Sequence, residues 1–198
     1  MSDKIIIQLG VPRQHVEAAT ALYCDAFREK LTPFLGTPDR AARFLATGLA
    51  PDRAFVALQD GGVVGIAGFK VNGRGLYEPG IGRFLAEYGW SAPARILGLL
   101  LLERAERPDL LLMDGIAVSE TVRGKGIGTR LLKAIEGQAK KLNKRSIRLD
   151  VIDTNPGARR LYERFGFEAC KTSALGPLKH LFSFGSSTEM QKQVGEQH

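Results

Sequence analysis

A short glycine turn between an apolar segment and an amphipathic one restricts the folds open to this chain more than any other feature. The turn reads VRGKGIGT over residues 122–129. Leu110–Val118 before it has the apolar character of a buried strand, and Gly128–Leu142 after it repeats apolar residues at helical spacing. Ser146–Ile152 then reads as another strand. This succession predicts an α/β domain in which a glycine turn joins a strand to a helix.

Strand and helix patterns alternate along the rest of the chain as well. Asp60-Gly61-Gly62 between two apolar runs is a hairpin signal, and Asp39 and Asn155 are candidate helix caps. Residues 72–107 exceed what a hairpin connection needs, which predicts an extra helical insertion there. Further strands are expected at Ile5–Leu9, Ala54–Gln59, Val63–Val71, Phe167–Lys171 and Leu181–Met190, and helices at His15–Arg28, Asp39–Leu49, Ala94–Glu106 and Pro156–Phe165. Pro33–Asp39 is expected to break the chain, and without a linker or repeat the whole of 1–198 is expected to form one domain.

The composition excludes several classes of protein. The longest apolar run, Ile96–Leu102, is too short to span a bilayer, and the first residues lack the pattern of a signal peptide. Cys24 and Cys170 lie in apolar patterns and are expected to be buried, reduced thiols, which indicates the cytoplasm. The three histidines are scattered and have no metal-ligand spacing, so no metal site is expected.

The net charge of +7 is concentrated in one part of the chain. Residues 121–171 hold thirteen Lys or Arg against five Asp or Glu, and the remainder is close to neutral. Solvated helix faces would account for part of this, because cations favour the carboxyl end of a helix. A site for a polyanionic ligand is the functional interpretation.

Three alternating glycines that open onto a helix are suited to hold a phosphate group. Glycine lets the backbone approach a ligand closely, and the helix start presents free N–H groups. The turn does not match a P-loop, because its lysine lies between glycines, and its last spacing differs from the dinucleotide-binding fingerprint. A plain connector is the structural alternative, but a connector does not need three glycines, each of which costs backbone entropy on folding.

The glycine turn and one downstream segment together carry a family resemblance. Arg123-Gly124-Lys125-Gly126-Ile127-Gly128 is similar to an Arg/Gln-x-x-Gly-x-Gly/Ala pyrophosphate loop. DTNPGARRLYERFGF over Asp153–Phe167 is similar to an Asn-x-x-Ala-x-x-x-Tyr-x-x-x-Gly-Phe segment. Both motifs, in this order, resemble the GNAT superfamily of acyl-CoA-dependent N-acyltransferases. The resemblance is strongest over residues 110–170.

The resemblance implies a GNAT-like fold: a mixed, mostly antiparallel sheet of six or seven strands flanked by helices, whose fourth and fifth strands are parallel and splay apart. Acetyl-CoA, the implied cosubstrate, would lie in that gap. Its pyrophosphate would meet backbone N–H groups of the loop, and its pantetheine arm would pair with the fourth strand. The implied cofactor-binding residues are Ile116, Ala117, Val118, Arg123, Gly124, Lys125, Gly126, Ile127, Gly128, Thr129, Asn155 and Ala158.

The implied chemistry is direct attack of a primary amine on the thioester in a ternary complex. Tyr162 stands at the family's tyrosine, the general acid proposed there for the CoA thiolate, and a phenol with its usual pKa of about 10 is protonated at neutral pH. Asp114 is the candidate base, and strand alternation places it on one face with Ile116 and Val118. Asp150 and Asp153 are rival bases, and a purely structural role is open for each of these groups.

The acceptor is expected to be a small-molecule or peptide amine that the sequence does not identify. Candidate pocket residues are Phe34, Leu35, Tyr77, Tyr88 and Trp90, with Glu78 and Glu87 as partners for an amine. A non-catalytic acyl-CoA sensor would keep the loop but has no use for Tyr162. A nucleic-acid-binding module would use the positive charge, but strand Ser146–Ile152 carries an acid, Asp150. No membrane partner is expected, and a homodimer is the family's common state.

Overall fold

The computed structural model describes residues 4–100, 106–176 and 182–195 of the chain. These residues contain seven strands in one sheet, in the order β1-β2-β3-β4-β5-β7-β6. The strands are β1 Ile5–Leu9, β2 Ala54–Gln59, β3 Gly62–Lys70, β4 Leu110–Val118, β5 Ser146–Ile152, β6 Glu168–Ala174 and β7 Ser186–Gln193. The helices are α1 Val16–Ala26, α2 Arg28–Leu35, α3 Pro38–Ala46, α4 Ile81–Tyr88, α5 Ala92–Leu100, α6 Ile127–Lys141 and α7 Pro156–Arg164. Among these described strands only β4 and β5 pair in parallel, so the expected mixed and mostly antiparallel sheet is confirmed.

The parallel pair is hydrogen-bonded over only a short length. β4 and β5 are in register at three residue pairs, Leu110–Ser146, Leu111–Ile147 and Leu112–Arg148. Beyond them β4 runs on to Val118 and β5 to Ile152 without pairing to each other. The two strands therefore diverge, and no described strand pairs with the β5-facing edge of β4 over its second half.

Helices cover both faces of the sheet. The apolar stripe of α6, with Leu131 and Ile135 fully buried, packs on one face against Met113 and Leu149. On the other face α1 packs against the first half of the sheet, where Tyr23 belongs to the same buried cluster as Ile66 and Ala117. The α6 stripe is the one that the sequence pattern predicts.

A second apolar cluster joins the helices of the insertion to α2 and α3. The Phe44 ring lies edge-on to Phe84 with ring centroids 4.6 Å apart, and both contact Tyr88. The Tyr88 hydroxyl donates a hydrogen bond to the Leu35 carbonyl at 3.0 Å, and a guanidinium group from α3 lies 4.7 Å from the Tyr88 ring centroid. These contacts hold α4 and α5 over the face of the sheet that α1 covers. We call these two helices, with the side chains packed against them, the roof.

Two boundaries near the first helices differ from the sequence prediction. The expected break at Pro33 is wrong, because α2 continues through it to Leu35 and ends at Gly36, which has φ +85°. Burial of Phe34 and Leu35 in the second cluster favours the helix over the proline's local preference. The cap of α3 is Thr37 instead of the predicted Asp39. The Thr37 hydroxyl accepts a hydrogen bond from the Arg40 N–H at 3.4 Å.

Other differences lie in the insertion and at the far edge of the sheet. The extra helix expected in the 72–107 insertion is α4, whose bounds the sequence pattern does not predict. The helix predicted at Ala94–Glu106 begins at Ala92, and residues 101–105 lie outside the described part. The last strand begins at Ser186 instead of residue 181, which is also outside it. Cys24 is buried as expected, but Cys170 is exposed, because every residue of edge strand β6 is exposed.

Packing of the roof can be tested at Gly98. A methyl group added to Gly98 of α5 would overlap the Phe34 ring. Gly98→Ala should lower the free energy of unfolding by about 1–3 kcal/mol through overpacking, although alanine is the better helix former. Gly137→Ala in α6 is the matched control, since its added methyl would meet no atom within 4 Å and should stabilise by up to about 1 kcal/mol. Urea unfolding measures both changes, and equal effects of the two substitutions would contradict this packing.

Candidate active site at the gap between the parallel strands

The glycine turn starts α6 in a geometry that exposes backbone N–H groups. Gly124 and Gly126 have φ of +83° and +75°, a region that favours glycine, and a Cβ atom at either would face open space. Gly126 directly precedes the first turn, so the N–H groups of Ile127–Thr129 have no acceptor within the helix. The helix dipole adds positive partial charge at the same end. This arrangement is suited to bind a phosphate-type anion.

The third glycine of the turn has a different physical role. A Cβ atom on Gly128 would lie 2.9 Å from Leu161 Cδ2 of α7, so glycine here permits a close approach of two helices. Leu161 precedes Tyr162 in α7. The contact therefore places the start of α6 next to the helix that carries the predicted general acid.

Two further predicted cofactor residues form the cap of α7. Asn155 Oδ1 accepts a hydrogen bond from the Ala158 N–H at 3.0 Å, which confirms Asn155 as the helix cap. Among the cations of the turn, Arg123 forms an ion pair with Glu120 at 2.9 Å in which both side chains are mostly exposed. Such exposed pairs are weak, so Arg123 can turn toward a bound anion at little cost.

A cavity of about 700 Å³ lies beside the gap, on the face of the sheet covered by α1 and α2. Its helical wall is mainly apolar and takes residues from five helices, among them Phe27, Leu31, Leu45, Phe84 and Leu99. Its sheet wall is polar and comes from β5, β6 and β7, with Arg148, Asp150, Lys171, Ser173, Ser187 and Glu189. Residues Leu112–Gly115 in the middle of β4, and Tyr162 of α7, also line it. The cavity thus adjoins the divergence of β4 and β5.

Asp114 does not share a face with Ile116 and Val118, and that prediction is wrong. Pairing between β3 and β4 shifts by one residue at this point, with Phe69 opposite Met113 and Gly68 opposite Gly115, so Asp114 is an unpaired bulge residue. The bulge interrupts the alternation of side chains along the strand. Ile116 and Val118 therefore pack toward the α6 core, whereas Asp114 lines the cavity.

The Asp114 carboxylate holds the loop between β3 and α4. The Leu76 N–H donates to Asp114 Oδ2 at 2.7 Å, and a Cβ atom on Gly75 would lie 3.0 Å from the same oxygen. The Tyr23 hydroxyl donates to the Asp114 carbonyl at 3.2 Å. At least one carboxylate oxygen therefore has a structural hydrogen bond, which was the alternative to a catalytic role.

Tyr162 and Tyr23 bring two phenol groups to the gap. Burial raises the pKa of Tyr162, whose side chain is only 5% exposed and packs against Phe167. Burial also raises the pKa of Tyr23, and the nearby Asp114 carboxylate adds to the effect. Both hydroxyl groups are therefore held in the protonated form. The sequence pattern identifies Tyr23 only as a core residue of α1, and nothing local in the sequence indicates its position beside Asp114.

The polar wall contains charged residues that the sequence did not indicate as a group. Arg148 Nη2 donates to Glu189 Oε2 at 2.7 Å, and both side chains are largely buried, at 15% and 24% exposed. Asp150 lies directly opposite Glu189 in the β5–β7 register, and Lys171 lies opposite Glu189 on the β6 side. The alternation in SIRLDVI predicts a polar face, but not which strand lies beside it.

Three of the seven predicted pocket residues line the cavity: Leu35, Tyr77 and Glu78. Phe34 packs inside the second apolar cluster, and Tyr88 lies there with it. The Glu87 carboxylate accepts from Arg40 Nε at 2.9 Å. Trp90 is 96% exposed and lies away from the cavity, so four of the expected pocket residues belong to the roof or its surface.

Potential metal ligands are not clustered in the described part of the chain, and the Cys24 thiol is buried. In that part of the chain, no three His, Cys, Asp or Glu side chains are grouped to hold a metal ion. Burial raises the pKa of the Cys24 thiol to about 12. None of the described helices is long and apolar enough to cross a membrane.

Several solved acetyltransferase structures are similar to this one. The solved structure of an N-acetyltransferase from Staphylococcus aureus matches with a TM-score of 0.62 and 20% identity, over 97% of this chain and 99% of that one. The Salmonella typhimurium protein yncA, solved with its cofactor acetyl-CoA, matches with a TM-score of 0.62 and 17% identity, over 98% and 95% of the two chains. At these identities the likeness shows the fold alone.

Sequence comparison adds a relative and a family. Acetyltransferase Atu2258 from Agrobacterium fabrum is 43% identical over 61 residues, which cover 31% of this chain and 42% of that protein. The match thus spans less than half of the relative's length. The model of the acetyltransferase (GNAT) family matches residues 17–167, from α1 to the residue before β6. With this family match, its seven-stranded sheet and its diverging parallel pair, the chain belongs to the GNAT acetyltransferase family.

Proposed function

We propose that the protein transfers the acetyl group of acetyl-CoA to a primary amine by direct attack in a ternary complex. The observation that carries this proposal is the geometry of the gap: the start of α6 packs on α7, whose Tyr162 lines the cavity, and the unpaired part of the β4 edge begins beside that cavity. The bound acetyl-CoA in the yncA structure supports the choice of cosubstrate.

The residues at the gap fit coenzyme A. Backbone N–H groups from Gly124 to Thr129 would hold the pyrophosphate, with Arg123 and Lys125 supplying positive charge. The backbone of Ile116–Val118, which no described strand pairs with on the β5 side, would pair with the amide groups of the pantetheine arm. The thioester would then lie where the strands diverge, close to Asp114 and Tyr162.

Two side chains of the protein would transfer protons during the reaction, one as a donor and one as an acceptor. The amine nitrogen bonds to the thioester carbon, the carbon–sulfur bond breaks, and the amine loses a proton. Tyr162 would donate its phenolic proton to the departing thiolate. Burial keeps the phenol protonated, and the raised pKa also makes it a weaker acid than an exposed tyrosine. Asp114, or Asp150 across the gap, would accept the amine proton, since both line the cavity.

Cofactor binding is tested first by thermal melting. At a hundredfold excess over its Kd, acetyl-CoA should stabilise the protein by about 2.7 kcal/mol, which corresponds to roughly 5–10 °C, whereas NAD and ATP should give no such shift. Gly126→Asp should abolish the shift, because it puts bulk and negative charge at the anion site. Gly126→Asn, similar in size but neutral, should retain part of it. A full shift in Gly126→Asp would overturn the placement of the pyrophosphate.

Tyr162 is tested by removing its hydroxyl alone. Tyr162→Phe keeps the ring that packs against Phe167, so stability should be nearly maintained while kcat falls by about 10²–10⁴, the usual contribution of a positioned acid. Because burial raises the pKa of Tyr162, the wild-type enzyme should not lose this acid as the pH rises to about 9. Steady-state rates as a function of pH measure both effects. Wild-type kcat in the Tyr162→Phe variant would exclude it as the acid.

Two substitutions separate the structural and chemical roles of Asp114. Asp114→Ala leaves the Leu76 N–H without its acceptor and should lower the free energy of unfolding by about 1–3 kcal/mol. Asp114→Asn keeps an oxygen for that N–H, so it should unfold nearly as the wild type does while losing the ability to accept a proton. Urea unfolding and kcat/KM are measured on both. If Asp114→Asn retains full activity, Asp114 is only a structural group and Asp150 becomes the candidate base.

A further inference from the structure

The polar wall of the cavity contains a compact group of hydrogen-bond donors on β6 and β7. Lys171 and Ser173 of β6 lie opposite Glu189 and Ser187 of β7, and all four line the cavity. None of the described acidic residues forms an ion pair with Lys171. Ser187 is 8% exposed, and its buried Oγ has no hydrogen-bond partner among the described residues. An ammonium group and two hydroxyl groups here match the needs of a small monoanion such as a carboxylate.

Two carboxylates lie next to these donors, toward the gap. Asp150 and Glu189 are directly opposite each other on neighbouring strands, an arrangement of like charges that is unfavourable without a cation nearby. Arg148 meets this need for Glu189. Asp150 lies on β5, the strand that borders the gap, and its carboxylate and that of Glu189 can accept hydrogen bonds from an ammonium group, the protonated form in which an amine acceptor arrives.

The two groups are close enough to bind one small molecule. Neighbouring strands lie about 4.8 Å apart, so Glu189 has Asp150 on one side and Lys171 on the other at this spacing. An amine nearest Asp150 faces the gap, where the acetyl group would be presented. A carboxylate of the same molecule can then reach Lys171 and the serine hydroxyls.

The apolar wall on the other side of the cavity determines which side chain the acceptor can carry. It is formed by the apolar side chains of α2–α5 and by the Phe27 and Tyr77 rings, so a bulky apolar group is favoured there. The charged residues that line the whole cavity balance, with four cations, Lys30, Lys70, Arg148 and Lys171, against four carboxylates, Glu78, Asp114, Asp150 and Glu189. A cavity with balanced charges disfavours polyamines and polyanions alike.

We infer that the acceptor is a free amino acid with a bulky apolar side chain, bound through its amine by the Asp150–Glu189 pair and through its carboxylate by Lys171, Ser173 and Ser187. This inference rests on the proposed acetyl transfer and specifies its substrate class.

The test compares acceptors that differ by one group. Release of the CoA thiol is followed at saturating acetyl-CoA with phenylalanine, leucine, methionine, phenethylamine, phenylalaninamide and spermidine. At least one apolar amino acid should exceed phenethylamine and phenylalaninamide in kcat/KM by about tenfold or more, because the last two lack the carboxylate. Equal or better use of phenethylamine, phenylalaninamide or spermidine would overturn the inference.

Lys171→Gln gives a readout that a structural role would not change. The residue is exposed on an edge strand, so the variant should fold normally. The ratio of kcat/KM for phenylalanine to that for phenethylamine should fall by about tenfold, mainly through KM for phenylalanine. Lys133→Gln, an exposed position on α6 away from the cavity, is the matched control and should keep the wild-type ratio. An unaltered ratio in Lys171→Gln would remove Lys171 from the acceptor site.

Failure of this inference and failure of the proposed function give different results. If acetyl-CoA shifts the melting temperature and an amine without a carboxylate is the best acceptor, the transferase stands and the amino-acid assignment falls. If acetyl-CoA binds but no compound is acetylated, the amino-acid assignment falls and the protein is better explained as an acyl-CoA sensor. If acetyl-CoA gives no shift, both proposals fail together.

Discussion

The short pairing between β4 and β5 is the constraint on which the rest of the structure depends. Three residue pairs hold the two strands together, and the bulge at Asp114 follows immediately on β4. The next residue, Gly115, packs so closely on the Phe27 ring that a side chain there would overlap it. The bulge and this contact turn β4 away from its parallel neighbour. The gap is thus built into the backbone of β4, and it supplies both the free strand edge and the cavity.

Much of the fold could be predicted from local signals, because those signals agree with the tertiary structure there. The bounds of β1, β2, β4 and β5 match the predicted strands residue for residue, since β1, β2 and β4 are short, mainly apolar runs and β5 alternates apolar and polar residues. The boundaries that the sequence did not predict lie in α2 and in the roof. α2 continues through Pro33, and α4 lies in a segment with no clear apolar period. Burial of Phe34, Phe84 and Tyr88 in one apolar cluster stabilises both helices. Packing between distant segments is not visible in a local pattern.

The candidate site divides in the same way. The glycine turn and Tyr162 belong to continuous motifs, so the sequence could indicate them. The polar wall could not be assembled beforehand, because β7 pairs between β5 and β6, and only that crossover brings Glu189 between Asp150 and Lys171. Asp114 shows how small the missing information can be. One bulged residue reverses the face that simple alternation predicts.

The positions of the cations in residues 121–171 decide which anions they can bind. Arg123 and Lys125 lie at the anion-binding turn, Arg148 and Lys171 line the cavity on the sheet, and Lys140 and Lys141 end α6, where cations favour the helix dipole. These six of the thirteen cations therefore lie at three places with different surroundings. A single basic surface, which binding along a nucleic-acid backbone requires, does not follow from the count. The same charges instead suit two separate small anionic groups, a pyrophosphate at the turn and a carboxylate at Lys171, on either side of the gap where acetyl transfer would take place.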